Sequence, residues 1–185
     1  MRTLQQEALI GFITKLKRFS KYNRKWWIPL ETSVYIHDLI QQEQIQNFVE
    51  LGTGNGVTSA FAALAGAIVW TCDTATRPQV WNDEKFPVPH INNRIVQYDM
   101  ESDKFIKANA HASDHGPELY FLDASTTANG FKRDWTALQT KVQPGDFVVT
   151  SSEHPEIFEQ WQKLSKSGLP VVFSSTTKTF TLKWA

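Results

Sequence analysis

Residues 48–66 read FVELGTGNGVTSAFAALAG: a short apolar run, three alternating glycines, then an alanine-rich stretch. That order specifies a strand, a tight turn and a helix. Gly52 permits an unusual backbone angle, while Gly54 and Gly56 remove side chains where a ligand or a helix must come close. The amides at the helix N-terminus then face the mouth of the turn. In an open parallel sheet, ligands bind in the crevice at the carboxyl ends of the strands, so a nucleotide-like ligand is expected here.

The rest of the chain continues the alternation. Strands are expected at 47–51, 67–72, 94–98, 119–122, 146–150, 170–174 and 179–184, and helices at 58–65, 102–111, 134–141 and 155–167. Short apolar strands alternating with helices give an α/β three-layer sandwich around a seven-stranded, mostly parallel sheet. The last two strands, within PVVFSSTTKTFTLKW, leave room only for a tight reversal, so this pair is expected to be antiparallel. Residues 74–93 hold three prolines and little periodicity, and read as an irregular connection.

Two helices precede the sheet. Leu4, Ala8, Phe12 and Leu16 recur at helical spacing, widened by Leu9 and Ile13. A second helix is expected from Thr32 or Ser33, as a cap, to about Gln46, with Ile36, Leu39 and Ile40 inward and Pro29 separating the two. At 185 residues the chain suits one domain, residues 1–46 forming a helical cap on a core of 47–185.

Charge limits the partners. Nineteen basic residues balance nineteen acidic ones, without the basic excess usual in nucleic-acid binders. The spread is uneven, because Lys15, Lys17, Arg18, Lys21, Arg24 and Lys25 lie together with no acid among them, interleaved with Phe19, Tyr22, Trp26 and Trp27. Such a mixture can grip nucleic acid, but a solvated helix face with inward-packed aromatics is the favoured reading. Cys72 is the only cysteine, which excludes an internal disulfide and a thiolate metal cluster, and it reads as core filler. No apolar run approaches the roughly 18 residues of a membrane span, and the N-terminal stretch lacks a signal-peptide core. A cytoplasmic location is therefore expected, with self-association left open.

The identity of the ligand turns on spacing. The dinucleotide fingerprint is G-x-G-x-x-G, whereas here Gly52, Gly54 and Gly56 are one residue tighter and Glu50 stands two residues before them. This arrangement resembles motif I of the class I S-adenosylmethionine-dependent methyltransferases, E/D-x-G-x-G-x-G. A glutamate at that point would repel a pyrophosphate but suits a ligand with a sulfonium and an ammonium group. The resemblance, spanning about 47–185, implies S-adenosyl-L-methionine as cofactor, with Glu50, Gly52, Thr53, Gly54, Asn55 and Gly56 forming its turn. Asp73 ends the second strand about 20 residues on, where a carboxylate takes both ribose hydroxyls. The resemblance further implies that Asp99 receives the adenine amino group, that Met100 packs on the ring, and that Asp123 stands beside the sulfonium. Each aspartate alone also reads as a helix or turn cap.

The acceptor is less legible. Amino methyltransferases acting on adenine or glutamine carry an N/D-P-P-Y/F-like turn after the fourth strand, and DASTTANG contains no proline. The catechol and caffeoyl-CoA group holds a divalent metal at the ends of the fourth and fifth strands. Here Asp123, Glu153 and His154 occupy those places, but the acid–asparagine pair of that group is absent, so a metal is the lesser reading. His154 is the best general-base candidate, alongside Asp123; it reads equally as a helix N-terminal residue before Pro155. His37 is placed to reach over the site or to be a satisfied core residue, and Tyr35, Trp26 and Trp27 either line an acceptor pocket or simply pack. The expected function is methyl transfer to a small-molecule acceptor, on oxygen. Two rivals stand beside it: a non-catalytic domain of this fold binding a partner or nucleic acid through Lys15 to Lys25, and a nicotinamide-dependent oxidoreductase.

Overall fold

The computed structural model describes residues 3–16, 28–75, 77–108, 116–151 and 153–185. Its strands are β1 (Asn47–Leu51), β2 (Ile68–Asp73), β3 (Ile95–Asp99), β4 (Glu118–Leu122), β5 (Phe147–Ser151), β6 (Val171–Ser174) and β7 (Thr179–Lys183). Its helices are α1 (Leu4–Leu16), α2 (Leu30–Gln42), α3 (Val57–Leu64), α4 (Ser102–Ala108), α5 (Ala128–Leu138) and α6 (Pro155–Lys166). The strands form one sheet in the order β3-β2-β1-β4-β5-β7-β6. All neighbouring pairs are parallel except those of β7, which runs antiparallel to both β5 and β6. Each expected strand forms within a residue of its expected ends.

Strand periodicity sorts the core into two layers. Phe48, Leu119, Phe121, Phe147 and Val149 point to one face, where they meet Ile36, Leu39 and Ile40 of α2 and Ala62 and Ala63 of α3. Val49, Leu51, Tyr120, Leu122 and Val148 point to the other, against Phe105 and Ile106 of α4, Phe131 and Trp135 of α5, and Trp161 of α6. One residue of shift in either central strand would turn its apolar set from one layer into the other, which pins the register. The chain leaves β1 toward β2 and β3 and leaves β4 toward β5. The strand order therefore reverses between β1 and β4, and the exits of these two strands frame a crevice.

The helices depart from expectation in several places, and α2 for one ends at Gln42 where about Gln46 was expected. In α1 the buried stripe is Gln6, Leu9, Ile13 and Leu16, while Leu4 is 86 % exposed and Ala8 is exposed. Gln6 turns inward because its amide bonds Asp38 Oδ1 at 3.2 Å and meets His37 Nδ1 at 3.1 Å. Thr32 and Ser33 do not cap α2; Pro29 holds that position and both hydroxyls lie inside the helix. Thr32 Oγ1 donates to the Thr177 carbonyl at 2.7 Å, and Ser33 pairs with Thr58 at 3.3 Å. Helix α5 starts six residues before the expected 134, where Thr127 Oγ1 accepts from Gly130 N at 3.2 Å. A second acceptor, Glu156 of α6, takes the Ala128 N–H at 2.7 Å.

The described residues of 74–93 are irregular as expected, apart from a 3₁₀ turn at Val80–Asn82 and the start of another at Ile91–Arg94. Lys17, Arg18, Lys21, Arg24 and Lys25, with Phe19, Tyr22, Trp26 and Trp27, lie outside the described residues, as do His111 and His115. Lys15 is described, exposed in the last turn of α1. No helix among the described residues is long and apolar enough to cross a membrane.

Candidate functional site

A cleft of about 530 Å³ runs along the carboxyl ends of β1 to β5, within the usual size of small-molecule sites. Gly54, Asp73, Met100, Asp123, Glu153 and His154 are among the residues that line it.

The three glycines answer to three different neighbours. At Gly52, with φ +96°, a Cβ would stand 2.7 Å from Ala124 Cα, so the missing side chain lets the exit of β4 close on the exit of β1. Asp123 N donates to the Leu51 carbonyl at 2.9 Å across that join. Gly54, with φ +53°, presents its N–H to Asp73 Oδ2 at 3.0 Å. Gly56 caps α3 at φ +76°, and its Cβ would lie 1.9 Å from the Trp81 ring and 2.5 Å from Gln79 Oε1. What approaches Gly56 is thus a strap of the protein itself. The same strap donates Val80 N to the Asn55 carbonyl at 3.0 Å and Gln79 Nε2 to the Gly54 carbonyl at 3.3 Å. Thr53 and Asn55 are buried beneath the turn, Thr53 Oγ1 meeting Thr71 Oγ1 at 2.7 Å.

Glu50 does not stand on the rim of the cleft. It is buried under the turn, where Oε2 accepts from Ser59 of α3 and from Thr71 Oγ1 of β2, the latter at 2.9 Å. It borders a cavity of about 20 Å³ that Asp123 also lines. Burial pushes the Glu50 carboxyl up to about 8 against the two hydroxyl bonds, and Asp73 adds to the rise. Cys72 is core as expected, its thiol pushed up to about 12 by burial.

Asp73 ends β2 with both carboxylate oxygens hydrogen-bonded and acceptor capacity left on Oδ1. Oδ2 accepts from Gly54 N and from Arg77 Nη1 at 3.2 Å, and Oδ1 accepts from Ala75 N at 2.9 Å. Asp99 pairs in register with Asp73 across β2 and β3 but is exposed and is not among the cleft-lining residues; Met100 and Glu101 are. Asp123 lines both cavities, and its carboxylate has no hydrogen-bond partner among the described residues. Burial, with Glu50 and then Glu153 nearby, holds it well above the usual carboxylate range.

His154 and the exposed Glu153 border the far end of the cleft, with His154 as the N-cap residue of α6. The proposed metal set of Asp123, Glu153 and His154 is not assembled, since among the described residues no three His, Cys, Asp or Glu side chains converge on one ion position. His37 does not reach over the site. It is buried between α1 and α3, beside Asp38 Oδ1 at 2.9 Å and edge-on to Phe61. Tyr35 is likewise elsewhere, its hydroxyl 2.8 Å from Thr181 Oγ1 on β7.

Four cleft residues carried no readable signal. Arg77 follows Asp73 by one helical turn's spacing, in a segment with no helix. Ser102 and Arg133 meet at Asp134, which accepts from Ser102 Oγ at 2.6 Å and from Arg133 Nε at 3.3 Å. Glu101, the fourth, pairs with Lys104 at 3.1 Å.

The strand order, the antiparallel β7 and the glycine turn between β1 and α3 define the class I S-adenosylmethionine-dependent methyltransferase fold. Three solved structures share it across nearly the whole chain. A Klebsiella pneumoniae protein provisionally assigned as an O-methyltransferase superposes with a TM-score of 0.64 at 11 % identity, covering 100 % of this chain and 92 % of its own. The O-methyltransferase TomG of Streptomyces achromogenes, involved in tomaymycin synthesis and solved with S-adenosylmethionine, gives 0.65 at 15 % identity, covering 97 % and 90 %. The Bacillus cereus O-methyltransferase, solved with S-adenosylhomocysteine, gives 0.61 at 13 %, covering 96 % and 90 %. No protein-family model matches the sequence, and neither does any curated protein sequence.

Proposed function

We propose that this chain is an S-adenosylmethionine-dependent methyltransferase that alkylates a small-molecule acceptor on oxygen. The observation that carries the reading is that one cleft at the strand-order reversal is lined, in the strand order β3-β2-β1-β4-β5, by Met100 and Ser102, then Asp73 and Gly54, then Asp123, then Glu153 and His154. Adenine, ribose, sulfur and acceptor need their partners in that order. Asp73 would take the ribose hydroxyls, Met100 would pack on the adenine, and Asp123 would face the sulfonium. The bound cofactor supplies the methyl group on a cationic sulfur. Holding methyl and acceptor in line with water excluded is then the protein's main task. Oxygen is favoured as the accepting atom by the proline-free turn after β4 and by the names of the three structural neighbours.

Calorimetry tests the reading. S-adenosylhomocysteine is expected to bind while NAD does not, and loss of the Asp73 carboxylate in Asp73→Ala is expected to weaken binding by about 1–3 kcal/mol. Binding of NAD without S-adenosylhomocysteine would instead support an oxidoreductase. Binding of neither by a folded protein would support a non-catalytic module, for which salt-sensitive retention on nucleic acid is the decisive readout.

A further inference from the structure

Transfer of a methyl group from sulfur to a hydroxyl releases a proton, and resting on the reading above, Asp123 is a group of the cleft placed to receive it. Asp123 leaves β4 at the join with β1, where the absence of a side chain at Gly52 brings the two backbones into contact. Its carboxylate borders the cleft on one side and the small cavity above Glu50 on the other. The charged groups around it are Glu50 from β1, Asp73 from β2, and Glu153 and His154 beyond β5. The nearby cations are committed elsewhere, Arg77 to Asp73 and Arg133 to Asp103 and Asp134. Among the described residues no lysine or arginine offsets Asp123 or Glu50.

We propose that Asp123, backed by Glu50, accepts the acceptor's hydroxyl proton, and that the cofactor's own charge times it. Beside the sulfonium, Asp123 is ionised and able to accept. As the acceptor oxygen forms its bond to the methyl carbon, the carbon–sulfur bond breaks and its electron pair stays on sulfur, which becomes a neutral thioether. The positive charge that held Asp123 ionised disappears in the same step, and the hydroxyl proton passes to its carboxylate. Burial and the neighbouring Glu50 and Glu153 then keep that proton in place, consistent with a carboxyl that prefers its neutral form when no cation faces it. The chemistry balances with cofactor and acceptor alone.

The test needs only the two cofactor forms and no acceptor. Calorimetry in buffers of different ionisation enthalpy counts the protons released when each form binds. S-adenosylmethionine is expected to release close to one proton more than S-adenosylhomocysteine across the pH range in which Asp123 is neutral without a facing cation and ionised beside one. By linkage, the ratio of their affinities then rises by about tenfold per pH unit. Asp123→Asn is expected to remove most of that difference, and Asp123→Asn with Glu50→Gln all of it. Equal proton release by the two forms, with an affinity ratio flat in pH, overturns the proposal while leaving the methyltransferase reading intact. Failure of both forms to bind overturns the two together.

Discussion

The exits of β1 and β2 and the exits of β4 and β5 both carry carboxylates, and they use them differently. At the first pair, the acids are occupied by the protein. Glu50 takes the hydroxyls of Ser59 and Thr71, and Asp73 takes two backbone amides and Arg77. These bonds hold a turn of left-handed glycines in one shape. At the second pair, Asp123 and Glu153 make no side-chain hydrogen bond among the described residues, and both face the cleft. One half of the rim is a rigid mould and the other leaves its carboxyl groups without protein partners among the described residues, for what enters. The cost of the second arrangement is visible in Asp123, whose carboxyl is displaced toward its neutral form.

The join between the halves should be the most sensitive point. Gly52→Ala adds a Cβ 2.7 Å from backbone at a residue with φ +96°, and is expected to cost about 3 kcal/mol of stability in urea unfolding. Next comes the contrast between the two halves. Asp73→Ala should cost about 2 kcal/mol through the lost turn bonds, whereas Asp123→Asn should leave stability at pH 7 unchanged or raised. Equal losses at both positions would erase the distinction.

A pH-dependent effect follows from Glu50. Its native carboxyl stays protonated up to about 8, while the unfolded chain releases that proton near 4.5, so the native state binds more protons throughout that window. Stability conferred by the neutral carboxyl therefore falls as pH rises from 4.5 to 8. Glu50→Gln is expected to flatten the slope by at most about 1.4 kcal/mol per pH unit, read from unfolding curves at pH 5.5, 6.5 and 7.5. The smallest effect is at α5, where Glu156→Ala removes an acceptor from the Ala128 amide and should cost about 0.5–1 kcal/mol.

What the sequence made legible follows the same division. Apolar strand runs are dense in Phe, Val and Leu, and their two-residue period has one solution once helices cover both faces, so the sheet could be read to within a residue. Acids at strand ends could be read too, but not what they touch. Glu50 looks like a rim residue until Ser59 and Thr71, 9 and 21 residues away, are seen to bury it. Asp134 opens the helix expected at 134–141, yet it lies inside α5, where Ser102 and Arg133 claim it. Gln6 looks like a surface residue, and its burial depends on Asp38 and His37 of the next helix. Nothing in RPQVW announces that Trp81 fills the space left by Gly56. Polar residues are misread where their partners are distant in sequence, because a buried polar group is decided by its hydrogen bonds and not by its hydropathy.

The most direct test is a crystal structure of the protein with S-adenosylhomocysteine. The account predicts ribose hydroxyls on Asp73, adenine against Met100, and the thioether sulfur beside Asp123, with Glu50 still held under the turn by Ser59 and Thr71. A ligand lying outside the cleft, or Asp73 and Asp123 both turned away from the adenosyl group, would contradict it.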